Sequence, residues 1–153
     1  MTSYDFTPVE VPSGTFIGWG PNPGQSVTID VVSYAPGGGT DFNQNPCPQI
    51  VGVLTADCAT YKDKGATKER VTAGTMVTIN AGQANLRRNV LAADPQPGDI
   101  IRLTFESTTP GSKGDIKLFK AEVARGAGKG ASAVADEAVA TAGGMSVDDL
   151  DDI

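Results

Sequence analysis

Tyr61-Lys62-Asp63-Lys64 sets one aromatic ring beside two ammonium groups. Aromatic faces stack on flat rings, and ammonium groups pair with phosphates. Together they are the two contacts that hold an unpaired nucleic-acid strand. Tyr61 with Lys62 and Lys64 is therefore the first candidate site. Arg70, Arg102, Lys113, Lys117 and Lys120 add cations along strand-like stretches. Trp19 and Tyr34 stand at strand ends, where a ring serves as a surface platform or as a lid over the core. Each candidate has a structural alternative. Tyr61 could be a cross-strand partner on a sheet, and lysines on strands could form a solvated face. Phe105 and Phe119 sit in alternating apolar patterns and read as core. Arg87-Arg88 reads as the exposed side of a helix, opposite Leu86 and Val90.

Other chemistry is poorly provided for. The chain has no histidine, which removes histidine-based nucleophilic catalysis and histidine-containing zinc sites. Its two cysteines, Cys47 and Cys58, read as free thiols in a reducing compartment. Gly126-Ala127-Gly128-Lys129-Gly130 lacks the spacing of a phosphate-binding loop. No enzyme activity, cofactor or metal site is expected.

The net charge of −6 is sorted along the chain. Residues 1–59 have five acids and no base. Residues 60–125 have eleven bases against seven acids, and residues 126–153 have one base against six acids. The three segments carry −5, +4 and −5. A positive middle block suggests a polyanion partner, with a separate task for the acidic end.

These residues need elements to position them. Val27, Ile29 and Val31 alternate with polar residues and predict a strand over 25–34. Residues 35–47 read as a long Gly- and Asn-rich loop. Further strands are predicted over 48–61, 68–80, 99–106 and 116–124, with Gly52 and Gly74 as bends. Leu86 and Val90 fall at helical spacing, predicting one helix over 83–93 that ends at Asp94-Pro95. Three strands, a helix and two strands is the connectivity of the all-β OB-fold, a five-stranded barrel. The predicted layout is an N-terminal extension with a short strand (1–24), the OB domain (25–125), and a Gly/Ala-rich linker with an acidic tail (126–153). The N-terminus has no apolar signal region and no stretch is long enough to span a membrane, so a cytoplasmic location is expected.

The stretch from Glu69 to Arg125 resembles small OB-fold proteins of bacteriophages that bind single-stranded DNA or are related to such binders. The resemblance lies in the turn Pro95, Pro97, Gly98, Asp99 and in the final hairpin Gly114, Lys117, Phe119, and covers roughly residues 50–125. The end of the chain, Asp148-Asp149-Leu150-Asp151-Asp152-Ile153, is similar to the acidic tips of single-stranded DNA-binding proteins, though it lacks their Pro-Phe terminus. The resemblance implies single-stranded DNA binding in phage replication or recombination, in the host cytoplasm. It also implies recruitment of replication or recombination proteins through the tail. A homo-oligomer is compatible with this reading. A virion structural or decoration protein, or an OB-fold module for protein partners, are the alternatives.

Overall fold

The computed structural model describes residues 15–62 and 65–130. The longest strand, β2 (Ser26–Thr40), is the centre of the fold. It pairs antiparallel with β3 (Pro46–Leu54) on one side and β7 (Ile100–Thr109) on the other. Beyond β3 lie β6 (Met76–Asn80) and then β1 (Thr15–Phe16), which runs parallel to β6. Beyond β7 lies β8 (Ile116–Ala124). The sheet order is therefore β1-β6-β3-β2-β7-β8. A separate two-stranded ribbon joins β4 (Cys58–Lys62) to β5 (Thr67–Val71).

The mainly β expectation holds, but the described strands do not close into a barrel: β6 and β8 are not paired. The helix α1 (Ala84–Ala93) meets β8 instead. Its Asn85 Oδ1 accepts the backbone N–H of Phe119 at 2.6 Å, and Asn89 Nδ2 donates to the Phe119 carbonyl at 3.2 Å. Two side chains thus stand in for part of a neighbouring strand and cover groups that an open edge would leave unpaired. Leu86 and Val90 turn inward as the helical spacing predicts. Asp94 ends the helix in the left-handed region, its N–H donating to the Val90 carbonyl.

Three strand boundaries differ from expectation. Residues 35–47 are mostly hairpin rather than loop, because β2 continues to Thr40 and β3 begins at Pro46. The register slips between Ala35 and Gly39, so the pairing is irregular there. The stretch 48–61 breaks between Leu54 and Cys58. The stretch 68–80 breaks between Val71 and Met76, where Gly74 takes φ +90°. These two breaks create the ribbon.

The core collects the inward faces of the sheet and helix. Ile29, Ile50, Ile79, Leu86, Leu103 and Phe105 are fully buried. Each contributes roughly 1.5–3 kcal/mol relative to exposure. Gly52 is required by close approach: a Cβ there would lie 2.4 Å from the Asp30 carbonyl oxygen. Among the described residues no helix is long and apolar enough to cross a membrane.

The segment expected to begin the linker is held to the fold. Asp30 accepts the N–H groups of Lys129 and Gly130, and Gly128 N–H donates to the Gly98 carbonyl. The fold therefore extends past residue 125 to Gly130.

Candidate functional site

At one end of the sheet lies a groove of about 1120 Å³. Its walls come from four separated stretches: the strap Thr15–Pro21, the hairpin tip Thr40–Asn43, the ribbon end Tyr61-Lys62, and Lys117 on β8. Asn80, Gly82 and Gln83 add a polar side. Two rings in it are open to solvent: Phe16 is 58% exposed and Phe42 is 99% exposed.

The strap fixes Tyr61. Gly18 carbonyl accepts the Tyr61 N–H at 3.1 Å, and Gly18 N–H donates to Thr60 Oγ1 at 2.8 Å. Gln25 ties the junction together, donating to the carbonyls of Gly18 and Ala59 and accepting from Gly20 N–H. Gly20 lies against the Tyr61 ring so closely that a Cβ there would sit 2.6 Å from two ring carbons. Glycine is needed for the ring to rest where it does. Tyr61 is half-buried, with its ring seated on the strap and at the groove wall.

The hairpin tip is equally organised. Asp41 Oδ1 accepts the N–H groups of Asn43 and Asn45, at 2.8 and 2.9 Å. Asp41 N–H donates to the Asn45 carbonyl, and Gln44 N–H donates to the Asp41 carbonyl, with Gln44 at φ +65°. Asp41 Oδ2 pairs with Arg87 at 3.1 Å, and the same guanidinium nitrogen donates to the Gly82 carbonyl at 2.9 Å. Arg87, read from sequence as a solvated helix residue, is instead a half-buried brace between α1 and this tip.

Lys117 reaches the groove because it shares strand parity with Phe119 and so lies on the core-facing side of β8. Its Nζ sits 5.8 Å from the Phe105 ring centroid, a cation–π placement. Lys120, an odd number of residues away, faces outward and pairs with Glu122 at 3.9 Å.

Of the expected contacts, Trp19, Tyr61, Lys62 and Lys117 come together at the groove. Lys62 also pairs with Glu69 at 3.0 Å. Of the two readings open for Trp19 the structure favours the lid: it is only 8% exposed and packs edge-on to Phe119, with centroids 4.9 Å apart. A ring held this way is a lid on the core, with no open face for a base. Tyr34 lies on β2 outside the groove, packed against the core. Burial, with Asp94 nearby, raises its phenol above the ordinary value.

The other expected cations among the described residues do not line the groove. Arg70 pairs with Asp57, whose carboxyl is held below its ordinary value by that bond and by the Ala73 N–H. Arg102 pairs with Glu122 at 3.0 Å on the outer face of β7–β8. Lys113 is exposed on the β7–β8 loop. Much of the positive surplus is thus matched locally by carboxylates. Lys64 and the tail candidates Asp148 to Ile153 lie outside the described residues.

Sequence reasoning missed Phe16 and Phe42 as groove residues. Phe42 did carry a signal: it is the one apolar residue in Asp41-Phe42-Asn43-Gln44-Asn45. Phe16 gave none, since its place depends on the long-range pairing of β1 with β6. Comparison with known protein families, with curated proteins and with solved structures finds no match to this chain.

Proposed function

We propose that this protein binds single-stranded DNA without catalysing a reaction. One observation carries the reading: the rings of Phe16, Phe42 and Tyr61 share a single groove with Lys62 and Lys117. The rings supply stacking surface, worth roughly 1–3 kcal/mol per base and tolerant of sequence, and the lysines supply phosphate contacts. The volume exceeds that of typical small-molecule pockets, which run to about 1,000 Å³, and suits a segment of a polymer. Within the sheet, the order β6-β3-β2-β7-β8 with a helix between β6 and β7 supports an OB-like architecture that lacks the final closure.

On this reading, and given the sequence resemblance to phage single-stranded DNA-binding proteins, the activity would serve replication or recombination. There the four terminal aspartates would compete for the cationic groove and present Leu150 and Ile153 to partner proteins.

Titration of labelled oligo-dT at two salt concentrations tests the proposal. Binding should weaken with salt by a slope of about −0.7 per phosphate contacted. Deleting residues 144–153 should tighten it. Absence of binding at low salt, or affinity indifferent to salt, would overturn the reading.

A further inference from the structure

We infer that Phe42 is a preformed stacking platform for one unpaired nucleobase, and that Arg87 is the positioning residue that holds it ready. This rests on the nucleic-acid reading of the groove and adds to it a specific element with a specific brace.

The argument starts from a conflict. A phenylalanine in a mobile loop lowers its free energy by folding onto nearby apolar surface. Here the strap beside it offers Phe16 and the rim of Trp19, yet Phe42 remains 99% exposed. The loop is not free to collapse. Asp41 accepts two loop amides, its own N–H closes on Asn45, and Arg87 fixes its second oxygen. The Asp41 side chain is 8% exposed, so this brace works in partial shelter from water. Arg87 in turn is fastened to the Gly82 carbonyl at the start of α1. A five-residue turn is therefore held rigid while its single apolar side chain stays in solvent.

The surroundings choose the occupant. An apolar protein surface would gain little from the ammonium groups of Lys62 and Lys117 in the same groove. A nucleic-acid strand uses both, setting a base against Phe42 and its phosphates near the lysines. Because the platform is ordered beforehand, the strand does not pay to order it on binding.

The test is oligo-dT binding by Phe42→Ala, Arg87→Met and the double variant, alongside the unaltered protein. Phe42→Ala should weaken binding about 5- to 150-fold, the range spanned by one base stack. Its salt slope should be unchanged, since no charge is removed. Arg87→Met should weaken binding similarly, and the double variant should bind no worse than Phe42→Ala alone. Arg87→Lys, which keeps a donor, should recover part of the loss. Phe42→Trp should keep binding and report the stack by fluorescence quenching, whatever the stability of the Arg87 variants.

Wild-type affinity in Phe42→Ala, with the unaltered protein binding normally, would overturn the inference and leave the wider reading intact. Additive losses in the double variant would overturn the role of Arg87. Self-association that is lost in Phe42→Ala, with DNA binding unaffected, would overturn the nucleobase in favour of a second copy. Failure of the unaltered protein to bind would instead remove the reading on which the inference rests.

Discussion

Asp30 Oδ1 accepts the backbone N–H of Gly130 at 2.9 Å, one hundred residues further along the chain. Its other oxygen accepts the N–H of Lys129 at 2.7 Å. The carboxylate is buried, and successive amides close around it as they do around bound anions. Gly128 completes the clasp, because a Cβ there would lie 2.4 Å from Asp30 Oδ1. Asp30→Ala should lower stability by about 1–3 kcal/mol, since it leaves two sheltered amides without acceptors. Hydrogen exchange should show those amides losing protection ahead of the β2–β3 ladder. Gly128→Ala should release the same amides by steric conflict. Unchanged protection in both variants would show that the clasp contributes little.

A second carboxylate ties the other side of this segment. Asp99 accepts from Gln96 N–H, Gly126 N–H and Arg125 Nη1, and Arg125 also donates to the carbonyls of Ala93 and Asp94 at the end of α1. The Gln96 and Gly126 amides, then the Arg125 guanidinium, hold the Asp99 carboxyl below its ordinary value. The folded form therefore binds this proton less readily than the unfolded chain, whose carboxyl titrates near 3.9. The resulting stability is fully present above that value and is lost as pH falls through the lower folded one. Thermal unfolding from pH 7 to pH 2 should show a declining acid limb that Asp99→Asn makes shallower. At pH 7 the same variant should cost about 1–3 kcal/mol. An acid limb of unaltered steepness would assign the dependence to other carboxylates.

Lys117 and Lys120 distinguish a groove contact from a solvated face. In sequence they are two equivalent cations on one hairpin. In the structure strand parity separates them: Lys117 lies toward the core mouth and Lys120 lies beside Glu122. Lys117→Ala should weaken oligo-dT binding and reduce the magnitude of the salt slope by about 0.7. Lys120→Ala should leave both nearly unchanged. Equal effects from the two would mean that the strand follows the outer face of β7–β8.

How much of this was legible follows from the range of the interactions. Leu86 and Val90 mark the helix, and alternation marks β7 and β8, because those patterns are local. The ribbon was hidden, since Thr- and Val-rich runs read as strand throughout and do not reveal where they turn. Gly74 reads from sequence as a bend in one strand, but it lies in the turn that separates β5 from β6. Tyr61 was identified from its neighbours, whereas its seat on Gly20 depends on contact across forty residues of chain. Trp19 allowed two readings, platform or lid, for a related reason. The flanking glycines admit the ribbon backbone and the Tyr61 ring, while the indole turns inward onto Phe119. Arg87 looked solvated because its partner Asp41 lies on a distant hairpin.

The same long-range logic governs the open edge of the sheet, where Asn85 and Asn89 pair with both backbone groups of Phe119. Two asparagines on one ten-residue helix, Asn85 in its first turn and Asn89 in its middle, are a weak choice on propensity alone. Their value here is tertiary, because they satisfy strand groups that have no neighbouring strand among the described residues. Asn85→Ala should raise helix propensity yet destabilise the protein by about 1–3 kcal/mol, since Phe119 N–H loses its acceptor next to a buried ring. Asn89→Ala should cost less, about 0.5–1.5 kcal/mol, because its bond is longer and a carbonyl tolerates the loss better. Urea unfolding should show lower midpoints with unchanged slopes, the sign of altered stability without altered exposed surface. The unpaired edge should also make Asn85→Ala more prone to edge-to-edge association on light scattering. If Asn85→Ala were as stable as the unaltered protein, the helix would be packed against β8 by Leu86 and Val90 alone, and the sheet edge would need no polar cover.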